Sequence, residues 1–318
     1  MARIAVVHGM SQQYKGPRSL LTSVAPALRD GVTAAVGPAG PALGDDDITC
    51  AFYGDTFVRP GTRATSVPAY DEADIEPGYE SQLLLEWWLE AARIHPEVLG
   101  PDAKSRGAAG YLAGRPLKRP MVRRALNALT HAPYFARVAE PLLIFGLKQV
   151  HRYFNEPGLR DRIQEAVARA IGPDTRVLVG HSLGSVAAYE LLCNETVRAA
   201  HPEWRIPTLV TLGSPLGLRG LIFDRLIPAP QRGNGVWPSG IQNWTNIADA
   251  SDIVALVKDL APRFGPQIDD HEIDNGTEMH SMSRYLTAPV TGRAIAHGLT
   301  GSVNPAADPT ITGETSSD

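Results

Sequence analysis

An apolar run that breaks into a glycine-flanked serine constrains this chain more than any other feature. Residues 176–185 read RVLVGHSLGS, closing on Gly180-His181-Ser182-Leu183-Gly184. Arg176 to Val179 supply the β-branched and aliphatic residues of a strand, and from Ser185 the sequence SVAAYELL carries apolar residues at helical spacing. A strand that passes directly into a helix must reverse sharply. That reversal holds the serine in a strained conformation with its hydroxyl pushed out past the strand end, and flanking glycines let the helix pass close to the strand. The pattern predicts a nucleophilic Ser182. The plainer role is a small residue filling a tight strand–helix turn.

The elements around this turn alternate. Arg3 to Val7 reads as a buried strand ending at His8-Gly9, and Ser19 to Val32 as a helix. A Gly/Pro-rich link from Val36 to Gly44 leads to a second strand over Ile48 to Tyr53. After residue 158 the alternation resumes: helix 159–171, strand 175–180, helix 184–199, then strands 207–212 and 241–247 and a last strand with its turn near Asp269–Asp274. Such alternation predicts an α/β fold with a doubly wound, mostly parallel sheet. The core comprises residues 1–55 and 158–300. Residues 56–157 break the pattern with prolines, tryptophans and long helical stretches, which predicts a helical insertion placed as a cap or lid. The Ser/Thr/Gly/Asp-rich tail, 301–318, is expected to be disordered.

Composition narrows the function classes. With 318 residues, 43% of them hydrophobic, the chain can bury one large domain with insertions. A formal charge of −4 argues against a nucleic-acid binder. Cys50 and Cys193 lie far apart in apolar surroundings and read as reduced thiols. The start, MARIAVVHGM, runs into a core strand without the pattern of a signal peptide, and no apolar run reaches the roughly 18 residues that span a bilayer. A cytoplasmic protein is expected. Neither H-x-x-x-H nor C-x-x-C spacing occurs, and there is no dinucleotide or Walker loop, so neither metal nor cofactor is expected.

A serine hydroxyl needs a histidine to take its proton, and the histidine needs a carboxylate to fix its tautomer. After a strand–turn–helix serine the partners follow in the order acid, then histidine. The acid candidates lie in IQNWTNIADASDIVALVKDL, residues 241–260, where a strand ends in a turn containing Asp249 and Asp252. Asp252 precedes an apolar run with helical character, so its plain role is an N-cap, and Asp249 would cap its own turn. Asp252 is preferred and Asp249 stays open. Of the nine histidines, His271, His280 and His297 lie downstream. His297 falls in a helical pattern and His271 in the last strand, leaving His280, between an Asn275-Gly276 turn and a helix start. Two backbone N–H donors are needed for an oxyanion: Leu183, after the serine, and Met10, in the loop after the first strand, where Gly9 allows close approach. His8 reads as a structural loop residue.

The segments VVHGMSQQ, VLVGHSLGS, TLGSPLG, WTNIADASDIVA and MHSMSRYL together resemble the lipase/esterase-like branch of the α/β-hydrolase superfamily. They are similar in particular to bacterial cytoplasmic serine hydrolases with an HG-x-x-QQ start and a D-x-V acid motif. The resemblance covers the first 55 residues and about 159–290. It implies a triad of Ser182, Asp252 and His280, with Met10 and Leu183 as the oxyanion hole. Where such proteins often have proline after the aspartate, this chain has Ile253. Carboxylic-ester hydrolysis through an acyl-enzyme is the expected chemistry. The alternatives are a thioester, amide or peptide bond cleaved by the same residues, or a non-catalytic scaffold that binds a membrane or protein partner.

Between Lys104 and Arg152 the insertion carries ten basic residues against one acid, Glu140, whereas residues 45–90 are strongly acidic. A helical cap whose arginines pair with the acidic segment is the plain reading. A basic lid resting on an anionic membrane, or a rim for an acidic partner, are the functional ones. Trp87 and Trp88, in an amphipathic stretch, read as core or pocket wall. An apolar lid suits an acyl group, so a small-molecule or lipid-like ester is the expected substrate.

Overall fold

A computed structural model describes residues 2–58, 69–101, 117–130 and 140–301. Six strands, β1 (Ile4–Val7), β2 (Ile48–Ala51), β3 (Val177–His181), β4 (Thr208–Leu212), β5 (Asn243–Asp249) and β6 (Ile268–Ile273), form one sheet in the order β2-β1-β3-β4-β5-β6. Every neighbouring pair is parallel. The short apolar runs of the sequence are strands covered on both faces, which is why they lack polar alternation. Successive side chains point to opposite faces. Ile4, Val6, Val177, Val179, Val210 and Leu212 pack with Leu20, Val24 and Leu28 of helix α1 (Pro17–Val36) and with Ile295, near the chain's end, on one side. Ala5, Val7, Leu178, Leu209 and Trp244 pack into a second cluster on the other. The architecture is α/β, with helices on both faces of a six-stranded parallel sheet.

Between β2 and β3 the described residues form helices α2 (Tyr79–Ile94), α3 (Arg119–Thr130), α4 (Glu140–Asn155) and α5 (Leu159–Ala168). Leu83, Trp87, Trp88, Leu126 and Leu147 of this segment belong to the same apolar cluster as the sheet's second face, so the segment shares the sheet's core. Its basic residues are partly answered by acids of the upstream segment: Arg123 pairs with Glu72, and Lys148 with Glu80 at 3.2 Å. Arg124 lies over Trp88, 5.9 Å from the ring centre. Lys104, Arg106, Arg115 and Arg137, like the tail beyond residue 301, lie outside the described residues. Among the described residues, no helix is long and apolar enough to cross a membrane.

Two expected helices differ. The run predicted as 184–199 splits into α6 (Leu183–Cys193) and α7 (Glu195–Ala200), because Asn194 stops the first and caps the second through its Oδ1 and the Val197 N–H, 3.2 Å apart. The apolar run after Asp252 is irregular up to α8 (Ala261–Phe264). Side chains there take the backbone groups a helix would use: Asp252 Oδ1 accepts from the Val254 and Ala255 N–H groups, Lys258 Nζ donates to the Asp252 carbonyl, and Asp270 accepts from Leu260 and Ala261. Helices α9 (Met282–Thr287) and α10 (Pro289–Thr300) close the described chain and pack with α1 on the first face.

The strand order reverses at β1, which has β2 on one side and β3 on the other. In open parallel sheets the crevice outside the carboxyl ends of the strands at such a reversal is where ligands bind. Here it is bounded by the loop after Val7 and the turn after His181.

Candidate functional site

Ser182 occupies that turn, between β3 and α6, with φ 53° and ψ −128°. For a residue other than glycine this is strained, and it persists because the surroundings leave no alternative. A side chain at Gly184 would place its Cβ 2.3 Å from the His8 carbonyl oxygen and 2.4 Å from that of Val7, so only glycine lets α6 start this close to β1. The Ser182 N–H donates to the Leu212 carbonyl at 2.9 Å, and Ser185 Oγ donates to the Ser182 carbonyl at 2.6 Å. Both hold the turn from its buried side.

The loop after β6 brings His280 to this serine. His280 Nε2 lies 2.9 Å from Ser182 Oγ, and its Nδ1 lies 2.7 Å from Asp252 Oδ2. All three residues are buried. Asp252 receives four donors: the Val254 and Ala255 N–H groups on Oδ1, His280 Nδ1 and the Tyr285 hydroxyl on Oδ2. Burial pushes its carboxyl up, but its interactions with His280, the Lys258 ammonium and the Val254 N–H outweigh burial and hold it below the usual carboxylate range. It is therefore ionised, and the natural tautomer of His280 carries its proton on Nδ1 with Nε2 free to accept from Ser182.

Asp249, the other acid candidate, lies elsewhere in the network. Its carboxylate accepts the backbone N–H groups of Ser251 and Asn275 and fastens the end of β5 to the loop after β6. The remaining histidines also separate by environment. His271 lies on β6 beside Asp269, and His297 sits in the last turn of α10. His8 is buried, which lowers its pKa to about 4. Its Nδ1–H donates to the Gly9 carbonyl at 2.7 Å, its Nε2 accepts the Tyr53 N–H at 3.2 Å, and its ring stacks on Tyr53. It is a neutral brace for the loop after β1.

That loop passes directly against the serine: a Cβ on Gly9 would lie 2.7 Å from Ser182 Cβ. Among the described residues, no acceptor is paired with the backbone N–H of Met10 or of Leu183. Next to Met10, Ser11 adopts φ 62° and donates its N–H to Gln149 Oε1 at 2.8 Å, from α4. Gln149 also reaches Gln13 Oε1 at 3.3 Å.

Four contributors were not legible in the sequence. His181 Nε2–H donates to the His280 carbonyl at 3.2 Å, and burial beside His280 lowers its pKa to about 3, keeping it a neutral donor. Tyr285 bridges the acids, donating to Asp252 Oδ2 at 2.8 Å and accepting the Asp249 N–H at 2.7 Å. Gly213, at φ +53°, leaves the space into which Asp252 and His280 fit, since a Cβ there would lie 2.9 Å from Asp252 Oδ2. Gln149 belongs to a different helix altogether. His181, Gly213 and Tyr285 stood in segments already singled out (VLVGHSLGS, TLGSPLG and MHSMSRYL), but none of the three had been given a role there.

Two spaces meet at Ser182 and His280. On one side is an apolar crevice walled by Met10, Leu83, Trp87, Val150, Leu218 and Val254, with about 10 Å³ of open space, room for about one water. On the other, a polar groove of about 400 Å³ runs past His280, Ser11, Gln12, Lys15, Thr277 and Ser281 to the surface. The cluster Glu76, Glu80 and His151 has the spacing of a cation site among the described residues. It lies in the insertion, where the Lys148 ammonium already serves Glu80. The chain matches no protein-family model and no curated protein, so the reading of the site rests on its own residues.

Proposed function

We propose that this protein is a serine hydrolase of the α/β-hydrolase type that cleaves a carboxylic ester through an acyl-enzyme on Ser182. The observation that carries the reading is the unbroken hydrogen-bonded chain from Ser182 Oγ through His280 to Asp252. His280 Nε2 takes the Ser182 proton as Oγ attacks the acyl carbonyl, and ionised Asp252 stabilises the imidazolium. The N–H groups of Met10 and Leu183 hold the oxyanion, each worth about 3 kcal/mol of barrier by analogy with single-donor deletions. His280 then protonates the departing alcohol, which leaves along the polar groove, while the acyl group faces the apolar crevice. Water repeats the sequence to release the acid. No step needs a metal or cofactor.

Helices α2 and α4 supply Leu83, Trp87 and Val150 to the crevice wall and act as a cap over the acyl side. Labelling by a fluorophosphonate, read by intact mass, tests the reading. One adduct per chain is expected, absent in Ser182→Ala and strongly slowed in His280→Ala. A folded wild-type protein that takes no label, with or without detergent or anionic vesicles, would refute it and leave the scaffold reading.

A further inference from the structure

A second cavity lies at the opposite edge of the sheet, where β3, β4 and β5 begin. Its volume is about 370 Å³, and Arg176, Arg198 and Arg205 line it together with Trp204. Leu192, Ile206 and Pro207 form an apolar wall, and among the described residues no carboxylate contributes to the lining. Strand β3 separates this cavity from Ser182, a length of about 16 Å for five residues.

Two donors in this cavity are unsatisfied. Arg198 Nη1 and the indole Nε1 of Trp204 are both buried without a hydrogen-bond partner among the described residues. Buried donors are otherwise almost always paired, and two that share one cavity need a common explanation. Arg176 spends its Nη1 on the carbonyls of Pro173, Thr175 and Arg205, and Arg205 spends its own on those of Pro202 and Trp204. These bonds fix the two guanidinium planes at the cavity. The His201 ring stacks on Trp204 at 4.2 Å and holds the indole in place. At Gly240, with φ +84°, the backbone comes so close that a Cβ would lie 3.1 Å from Arg198 Nη2. The lining therefore offers donors and positive charge, with an apolar wall beside them.

We infer that this cavity binds an organic oxyanion, a carboxylate or phosphate carried on a small apolar body. Its oxygens accept from Arg198 and Trp204, Arg176 and Arg205 supply further charge, and the apolar body rests on Leu192, Ile206 and Pro207. The inference is independent of the chemistry proposed at Ser182.

Calorimetric titration of the full-length protein with inorganic phosphate, hexanoate and hexyl phosphate tests it, with Trp204 fluorescence as a second readout. Saturable one-to-one binding of a hexyl-bearing anion, tighter than inorganic phosphate, is expected. Which of the two hexyl anions binds better identifies the head group. Removing the guanidinium in Arg198→Met should weaken the tighter ligand about 10- to 100-fold, the range for hydrogen bonds to a charged group. Trp204→Phe, which keeps the charge and the ring, should weaken it about fivefold, and Ser182→Ala should leave it unchanged. Thermal melts of each variant establish that it is folded. Absence of saturable binding would overturn the inference, as would equal affinity in Arg198→Met and wild type, or loss of binding in Ser182→Ala.

Discussion

Replacing Asp252 by asparagine changes one atom and tests the arrangement at its most constrained point. The two carboxylate oxygens have different partners: Oδ1 faces two backbone N–H groups, and Oδ2 faces the Tyr285 hydroxyl and His280 Nδ1. An amide nitrogen in the Oδ1 position would confront two donors that cannot turn away, leaving buried N–H groups unpaired at about 1–3 kcal/mol each. In the Oδ2 position it meets a hydroxyl that can rotate to accept and an imidazole that can change tautomer. The amide therefore settles with its NH₂ toward His280, whose Nδ1 becomes the acceptor and whose proton moves to Nε2. That tautomer cannot take a proton from Ser182. The expected loss in kcat is about 10⁴-fold, close to 5 kcal/mol, as for the same replacement in serine proteases. The assay is hydrolysis of a chromogenic ester across pH, with fluorophosphonate labelling as a check on the nucleophile. Asp249→Asn is the paired control. It weakens the fastening of the β5 end and lowers the melting temperature, but leaves His280 its partner. A loss below tenfold in Asp252→Asn, or a larger loss in Asp249→Asn, would refute the assignment of the acid.

Further outcomes follow from the same geometry. Gly213→Ala forces an alanine to φ +53° with its Cβ against Asp252 Oδ2 and His280 Nδ1, so esterase activity should fall at least 100-fold by misalignment of the pair, measurable in protein that still melts cooperatively. Gln149→Leu frees the Ser11 N–H and loosens the loop bearing Met10. It should lower kcat about tenfold with little change in KM, and a change in KM alone would argue against a role in holding the oxyanion donor. Trp87→Ala enlarges the apolar crevice and should shift the preferred ester toward longer acyl chains in a chain-length series, and an unchanged optimum would place the acyl group elsewhere. Acid should destabilise the fold through His8 and His181. Their folded pKa values, about 4 and about 3, lie below the ordinary 6.5, so the unfolded chain binds the protons first and stability is lost as pH falls below 6.5. The loss between pH 6.5 and 5 is about 1.5 kcal/mol per histidine, offset by about 1 kcal/mol from Glu190, which burial raises to about 6. Denaturant melts at the two pH values measure it, and a stability that rises on acidification would contradict the buried neutral histidines.

The sequence by itself determined the features governed by local chemistry. Period and burial marked the strands, because a fully covered strand is an unbroken apolar run. The turn at Ser182 was readable because its strain needs a strand, a small-residue turn and a helix in immediate succession. His280 could be singled out, since order along the chain and the helical or strand setting of His271 and His297 left one loop histidine. What could not be read locally was the choice between Asp249 and Asp252, three residues apart in one turn. Both are buried acids that accept backbone N–H groups, and only the fold decides which carboxylate the loop after β6 brings to His280 Nδ1. Tertiary structure also overrode the apolar run after Asp252, where hydrogen bonds from Lys258 and to Asp270 displace a helix the periodicity favours. Gln149, Tyr285 and the space at Gly213 were hidden for the same reason. Each acts on a residue distant in sequence, and its role exists only once the sheet has placed the ends of β1, β3, β4 and β5 side by side.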